Sequence, residues 1–206
     1  AYFAEVFEEE RNYTKEIELL DKAIEYFPKE DFFHYKKTIP CRELGMYEEA
    51  EKNYLKAIEL NPKESGYYLG LGNLYDEKLN AKEKAISQYL KIIEIDSLSV
   101  EAYNNIGVLF VDINDLDKAE QYYLKGYEID SSDEALNYNL GKLYASKEEY
   151  TLSVDYYQRA IDLDPQDPEN FYGITTPLEK LGMYEEAEKN YLKAIELNPK
   201  DSDYYL

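Results

Sequence analysis

The chain has 206 residues and a formal net charge of −21, from 23 Lys and Arg against 44 Asp and Glu. A surface this acidic repels phosphate backbones and anionic headgroups, which disfavours nucleic acid and anionic membrane faces, while a basic partner would be steered in. No apolar run approaches the length of a membrane-spanning helix, and one Cys with one His leaves no intrachain disulfide, no metal cluster and no catalytic triad.

In chain order, residues 1–30 read as a helical pair lacking its first few residues, with Phe3-Ala4 and Phe7 at landmark places. Residues 31–64 follow as a second pair. Its later half contains Leu44 to Lys63, LGMYEEAEKNYLKAIELNPK. Tyr47, Ala50, Tyr54, Ala57 and Ile58 fall on one face of a helix. Glu48 and Glu49 suit its first turn, and Glu48 is placed to pair with Lys52. Gly45 supplies a break before it, and Asn61-Pro62 ends it. Ala50 and Ala57 let a neighbouring helix come close. Residues 65–99, 100–133, 134–167 and 168–201 are four more pairs, and 202–206 open another. The twenty residues at 44–63 return letter for letter at Leu181 to Lys200. The likeness extends from Thr38–Leu69 onto Thr175–Leu206, a shift of 137 residues. A larger four-unit period in a longer parent protein, or a splice, would give this.

Landmarks fix the period. The terminating Pro recurs as Pro28, Pro62, Pro165 and Pro199, with Ser97 and Ser131 in its place elsewhere. One small residue recurs as Ala50, Ala85, Ala119, Ser153 and Ala187, and a second as Ala23, Ala57, Gly126, Ala160 and Ala194, with Ile92 the exception. The spacing is 34 residues, apart from one extra residue near Asn80. A helical pair this short buries too little alone, so the period predicts stacked units. The earlier helix of each pair repeats as Tyr68, Leu71-Gly72, Tyr75; Tyr103, Ile106-Gly107, Phe110; Asn137, Leu140-Gly141, Tyr144.

Period and pattern together resemble the tetratricopeptide repeat over essentially the whole chain, with Tyr or Phe standing in for the Trp of that signature. The resemblance implies an all-α fold, a right-handed α-solenoid of stacked helix-turn-helix units whose first helices line a concave surface. Two units depart from the pattern. Pro40 and Pro177 fall within their first helices, where an interior Pro costs about 3 kcal/mol; each reads as a tolerated kink or as a bend that reshapes the groove. His34 stands at the place of Tyr68 and Tyr103, and Cys41 at that of Tyr75. Both are expected in interhelical packing. So are Tyr47, Tyr54, Tyr75, Tyr89, Tyr144, Tyr150, Tyr157, Tyr184 and Tyr191.

No catalytic constellation is present. Gly70-Leu71-Gly72 belongs to the repeat rather than to a phosphate loop, and no cofactor is implied. The expected function is non-enzymatic: binding of a peptide or partner segment in the groove, through Tyr35, Leu69, Asn73, Asn104, Val108, Val111, Tyr138, Lys142 and Tyr172. Asn73, Asn105 and Asn139 offer amides to a peptide backbone. Chaperone-binding members of the family hold a C-terminal carboxylate with a basic cluster; Leu69, Ala135 and Tyr138 occupy those places here and do not support that activity. A basic protein or peptide partner, self-association through uncapped ends and a cytoplasmic setting are expected. A self-assembling scaffold, or the recruiting arm of a larger enzyme, is the alternative.

Overall fold

The computed structural model of the chain describes residues 2–200, with side chains from residue 12 onward. The described residues form twelve helices and no strands. The expected opening of a further unit at 202–206 and the Phe3, Ala4 and Phe7 landmarks lie outside these described side chains. Two compact units divide the chain, residues 1–97 and 98–206.

The first unit holds α1 (Tyr2–Tyr26), α2 (Asp31–Glu43), α3 (Tyr47–Leu60), α4 (Ser65–Glu77) and α5 (Lys82–Ile95). α2 packs on α3 and α4 on α5 as hairpins, α3 joins the two hairpins through α4, and α1 packs on α2. The second unit holds α6 (Val100–Asp112), α7 (Leu116–Ile129), α8 (Glu134–Ser146), α9 (Tyr150–Leu163), α10 (Pro168–Gly173), α11 (Thr175–Lys180) and α12 (Tyr184–Leu197). Here α6 pairs with α7, α8 with α9, and α10 and α11 together with α12.

Every hairpin turn places one residue at positive φ at the same repeat place: Gly45 (70°), Asn80 (46°), Asn114 (60°), Glu148 (61°) and Gly182 (77°). In residues 1–30 that place falls to Arg11, which has no bias toward the left-handed region. Helix-forming Glu8, Glu9 and Glu10 precede it, and residues 2–26 run as one helix. The helix–turn–helix expected there is therefore a single helix, α1.

The core is a ladder of tyrosines resting on small residues. Tyr89 lies over Gly72, Tyr123 over Gly107, and Tyr157 over both Gly141 and Gly173, so close that a Cβ on any of these glycines would meet a ring atom at 2.3 to 2.8 Å. Tyr54 is 2 % exposed and rests against Gly70 of the next hairpin. The small residues Ala50, Ala57, Ala85, Ala119, Ser153, Ala160, Ala187 and Ala194 are buried, as their spacing predicts. Asp133 accepts from Leu136 N at 2.8 Å and Asp167 from Glu169 N at 3.0 Å, capping α8 and α10.

The two internal prolines have different outcomes. α2 continues through Pro40, whereas the matching stretch divides into α10 and α11 at Ile174. Both keep the same side-chain bond, Thr38 Oγ1 to the Tyr35 carbonyl (2.7 Å) and Thr175 Oγ1 to the Tyr172 carbonyl (2.6 Å). The residue four before the proline decides the difference: Lys36 favours helix, and Gly173 does not.

α3 and α12 have identical sequences and different surroundings. Tyr54 is buried against α4, while Tyr191, its twin, is only half-buried. Tyr184, expected in the core, is 69 % exposed. The face of α12 that α4 covers on α3 has no following helix among the described residues. Of the other tyrosines placed in the core, Tyr75, Tyr89, Tyr144 and Tyr157 are buried, and Tyr47 and Tyr150 half-buried. His34 and Cys41 are buried as expected.

Candidate peptide-binding face

In the second unit the first helices α8 and α10 bring Tyr138, Lys142 and Tyr172 to one recess of about 380 Å³, with Glu169 and Thr176 at its edges and Tyr157 at its base. Tyr138 meets the Tyr157 ring edge-on at 5.5 Å, and Tyr172 meets Tyr191 in the same way at 6.0 Å. Each inner-face tyrosine is thus held by a second-helix tyrosine behind it. Both are half-buried, which leaves part of each ring to the recess. Burial, with Glu169, Asp167 and Glu134 nearby, pushes the Tyr138 phenol above its ordinary range, so it is a neutral hydroxyl at physiological pH. Lys142 is exposed at the rim. The recess therefore offers two aromatic walls, one cation and one carboxylate.

On α6, Val108 and Val111 are half-buried. Asn104 Oδ1 accepts from Asn139 Nδ2 at 2.9 Å, so these two amides, expected to meet a peptide, bond one another across two first helices. In the first unit Asn73 Oδ1 accepts from the Tyr89 hydroxyl at 2.7 Å. Tyr35 lies against Tyr67 at 4.9 Å between centroids, and Leu69 is half-buried. Tyr67 in turn donates to Asp31 at 2.7 Å, beside Asn61 at 3.0 Å. These bonds hold the Asp31 carboxyl below the usual range. The inner-face residues of the first unit thus serve its own packing more than those of the second.

One charged group in the first unit was not anticipated. Lys37 is buried on α2 at the place of Leu71, Ile106 and Leu140. Its ammonium bonds Asp21 (2.7 Å) and Glu49 (2.9 Å). Burial alone would lower its pKa; the two carboxylates outweigh that and raise it, and the Lys37 bond holds Glu49 low. The signal was present in the sequence: a lysine at a repeat place that is otherwise apolar. No helix is long and apolar enough to cross a membrane, and no group of three or more His, Cys, Asp or Glu is placed to hold a metal, both among the described residues.

Family models of the tetratricopeptide repeat match residues 65–97, 100–133 and 178–201, a further one residues 136–167, and a TPR repeat model residues 41–78. The TPR repeat-containing protein MJ1428 of Methanocaldococcus jannaschii is 34 % identical over 111 residues, which span 50 % of this chain and 19 % of that protein. Among solved structures, the C-terminal part of a TPR repeat-containing protein from Cytophaga hutchinsonii gives a TM-score of 0.75 at 21 % identity, covering 98 % of this chain and 81 % of that one. MamA gives 0.71 at 24 % identity, covering 85 % of this chain and 96 % of that one. YrrB, described as a TPR protein with an unusual peptide-binding site, gives 0.69 at 20 % identity over 90 % and 95 % of the two chains. With its 34-residue period, its tyrosine ladder over small residues and its run of helical hairpins, the chain belongs to the tetratricopeptide repeat family.

Proposed function

We propose that this chain is a protein-interaction module that holds an extended peptide on its first-helix face, centred on Tyr138, Lys142 and Tyr172. The observation that carries this reading is the convergence of those three residues, from two successive hairpins, on one recess. Rigidly backed aromatic rings in such a recess suit peptide anchors. The peptide-binding site ascribed to YrrB supports the same use of the fold. Glu169 at the recess and the net charge of −21 favour a basic segment. Lys142 would pair with an acidic residue of that segment. The buried Cys41 fits a reducing, cytoplasmic setting.

The test is selection of ligands from a displayed peptide library, followed by calorimetry with the double variant Tyr138→Ala, Tyr172→Ala. Loss of two anchors should weaken binding by roughly thirtyfold or more, with helical circular dichroism unchanged. Unaltered affinity refutes the face. A second reading, self-association, is favoured by the exposed Tyr184 and Leu192 on α12; sedimentation across concentrations decides it, and a strict monomer ends it.

A further inference from the structure

The first unit holds another recess, about 540 Å³, walled by α1 and α3 and floored by α2. It shares no residue with the first-helix face described above. Three buried places are polar in this unit, and one of them is apolar in every other repeat. Lys37 stands at the place of Leu71, Ile106, Leu140 and Ile174; His34 stands at that of Tyr68, Tyr103, Asn137 and Phe171, and Asn53 at that of Gln88, Tyr122, Tyr156 and Asn190. The exchange is not a surface accident, because His34 is 8 %, Lys37 7 % and Asn53 5 % exposed.

The hydrogen bonds define the chemistry. Asn53 Nδ2 donates to the Glu49 carbonyl (2.8 Å) and to Glu49 Oε1 (3.1 Å). That orients Asn53 Oδ1 as the acceptor facing His34 Nδ1 at 3.2 Å. His34 is then the Nδ1–H tautomer, and its Nε2 is an acceptor, buried without a hydrogen-bond partner. A buried acceptor of this kind is unfavourable until a donor reaches it. Lys37 is committed to Asp21 and Glu49, so the three carry one net negative charge between them. Lys56 is held by Glu59 at 2.7 Å, and Lys52 stands at the exposed rim. Across the whole lining the acids Asp21, Glu49 and Glu59 are matched in number by Lys37, Lys52 and Lys56, so the interior is marked by its acceptors, inside a strongly acidic chain, with Ile24 and Leu55 providing apolar lining.

We propose that this recess is a second binding site, for the guanidinium of an arginine side chain on a partner peptide. A guanidinium is planar, weakly hydrated and carries five donors, so it can serve His34 Nε2 and a carboxylate together. Ile24 and Leu55 cover its aliphatic stem. The chain contains its own control. A shift of 137 residues carries His34 to Phe171, Lys37 to Ile174 and Asp21 to Gln158, while α3 and α12 stay identical. The twin unit has the same second helix and lacks the site.

The probe is Nα-acetyl-arginine methylamide, titrated into the full chain and followed through the side-chain nitrogen resonances of histidine, of which His34 is the single example. The Nε2 resonance should move saturably, and the neutral isostere Nα-acetyl-citrulline methylamide should bind at least tenfold more weakly. His34→Phe imports the residue of the twin unit; it should keep the thermal midpoint and lose roughly tenfold or more in affinity, read by calorimetry. Should it fail to fold, His34→Asn, matching Asn137, replaces it. Lys37→Ile frees both carboxylates and should tighten binding several-fold. The proposal is overturned by an unmoved Nε2 resonance, by equal binding of the citrulline isostere, by unchanged affinity after loss of His34, or by weaker binding in Lys37→Ile.

Discussion

Replacing Gly107 with Ala tests the tyrosine ladder, because two effects of opposite sign meet there. In a helix interior, Gly→Ala stabilises by about 1 kcal/mol through backbone entropy. At Gly107, however, the added Cβ would sit 2.3 Å from Tyr123 Cε1 and 2.4 Å from Cδ1. Tyr123 is 2 % exposed, so its ring has no free direction in which to swing. Overpacking of this kind costs about 1–3 kcal/mol, and the contacts here are at the severe end. The net expectation is destabilisation of about 1–2 kcal/mol, the clash outweighing the helix gain. Urea denaturation gives the shift, with the Tyr123→Leu background as the partner in a double-mutant cycle. Removing the ring should turn the same Gly107→Ala change neutral or stabilising, a coupling of about 1–3 kcal/mol. Stabilisation by Gly107→Ala in the wild-type background would show that the ring does not hold that place, and the packing account would fail.

Tyr75 and Tyr144 are pushed far up by burial and then by their bonds to Glu51 and Glu120, and Tyr123 and Tyr157 chiefly by burial. Folding raises these pKa values, so their contribution is complete below about pH 10 and is lost as pH rises further. Alkaline titration of tyrosine absorbance should show them ionising only with unfolding, and Tyr157→Phe should flatten the alkaline loss of stability. Asp31 and Glu49 are held low, Asp31 by bonds from Tyr67 and Asn61 and Glu49 by Lys37. Their contribution is present above about pH 4 and is lost as pH falls through the lowered values, so Asp31→Asn should flatten the acid limb of thermal stability. Glu148 holds a left-handed conformation at 61°; Glu148→Gly should raise the urea midpoint, by about 0.5–1 kcal/mol in stability, and a fall would refute the strain reading.

The hairpins were legible in the sequence because small residues and terminating prolines recur at fixed spacing, and those residues have one physical use each. Ala50, Ala119 and Ala187 are buried because only a short side chain fits between helices there. The first thirty residues misled because Phe3-Ala4 and Phe7 imitate the landmarks, while the turn residue that decides the matter, Arg11, lacks the backbone freedom to reverse the chain. Tyr184 misled for a different reason: its letters match Tyr47, and burial depends on a neighbour that the letters do not encode. Tyr138, Lys142 and Tyr172 could be placed on one face by counting residues. The mutual bond of Asn104 and Asn139 could not, since it depends on two helices lying within reach of each other. Lys37 was readable in principle, but its value lies in Asp21 and Glu49, which are distant in sequence.

The identity of α3 and α12 has a kinetic consequence. A refolding chain offers α4 two indistinguishable surfaces, and nothing in their fourteen shared residues says which is correct. Synthesis from the N-terminus resolves the ambiguity by order of appearance, since α3 and α4 emerge well before α12. Dilution from denaturant removes that order, so misdocked or exchanged species should accumulate with chain concentration when the protein is refolded whole, and not when it is made vectorially.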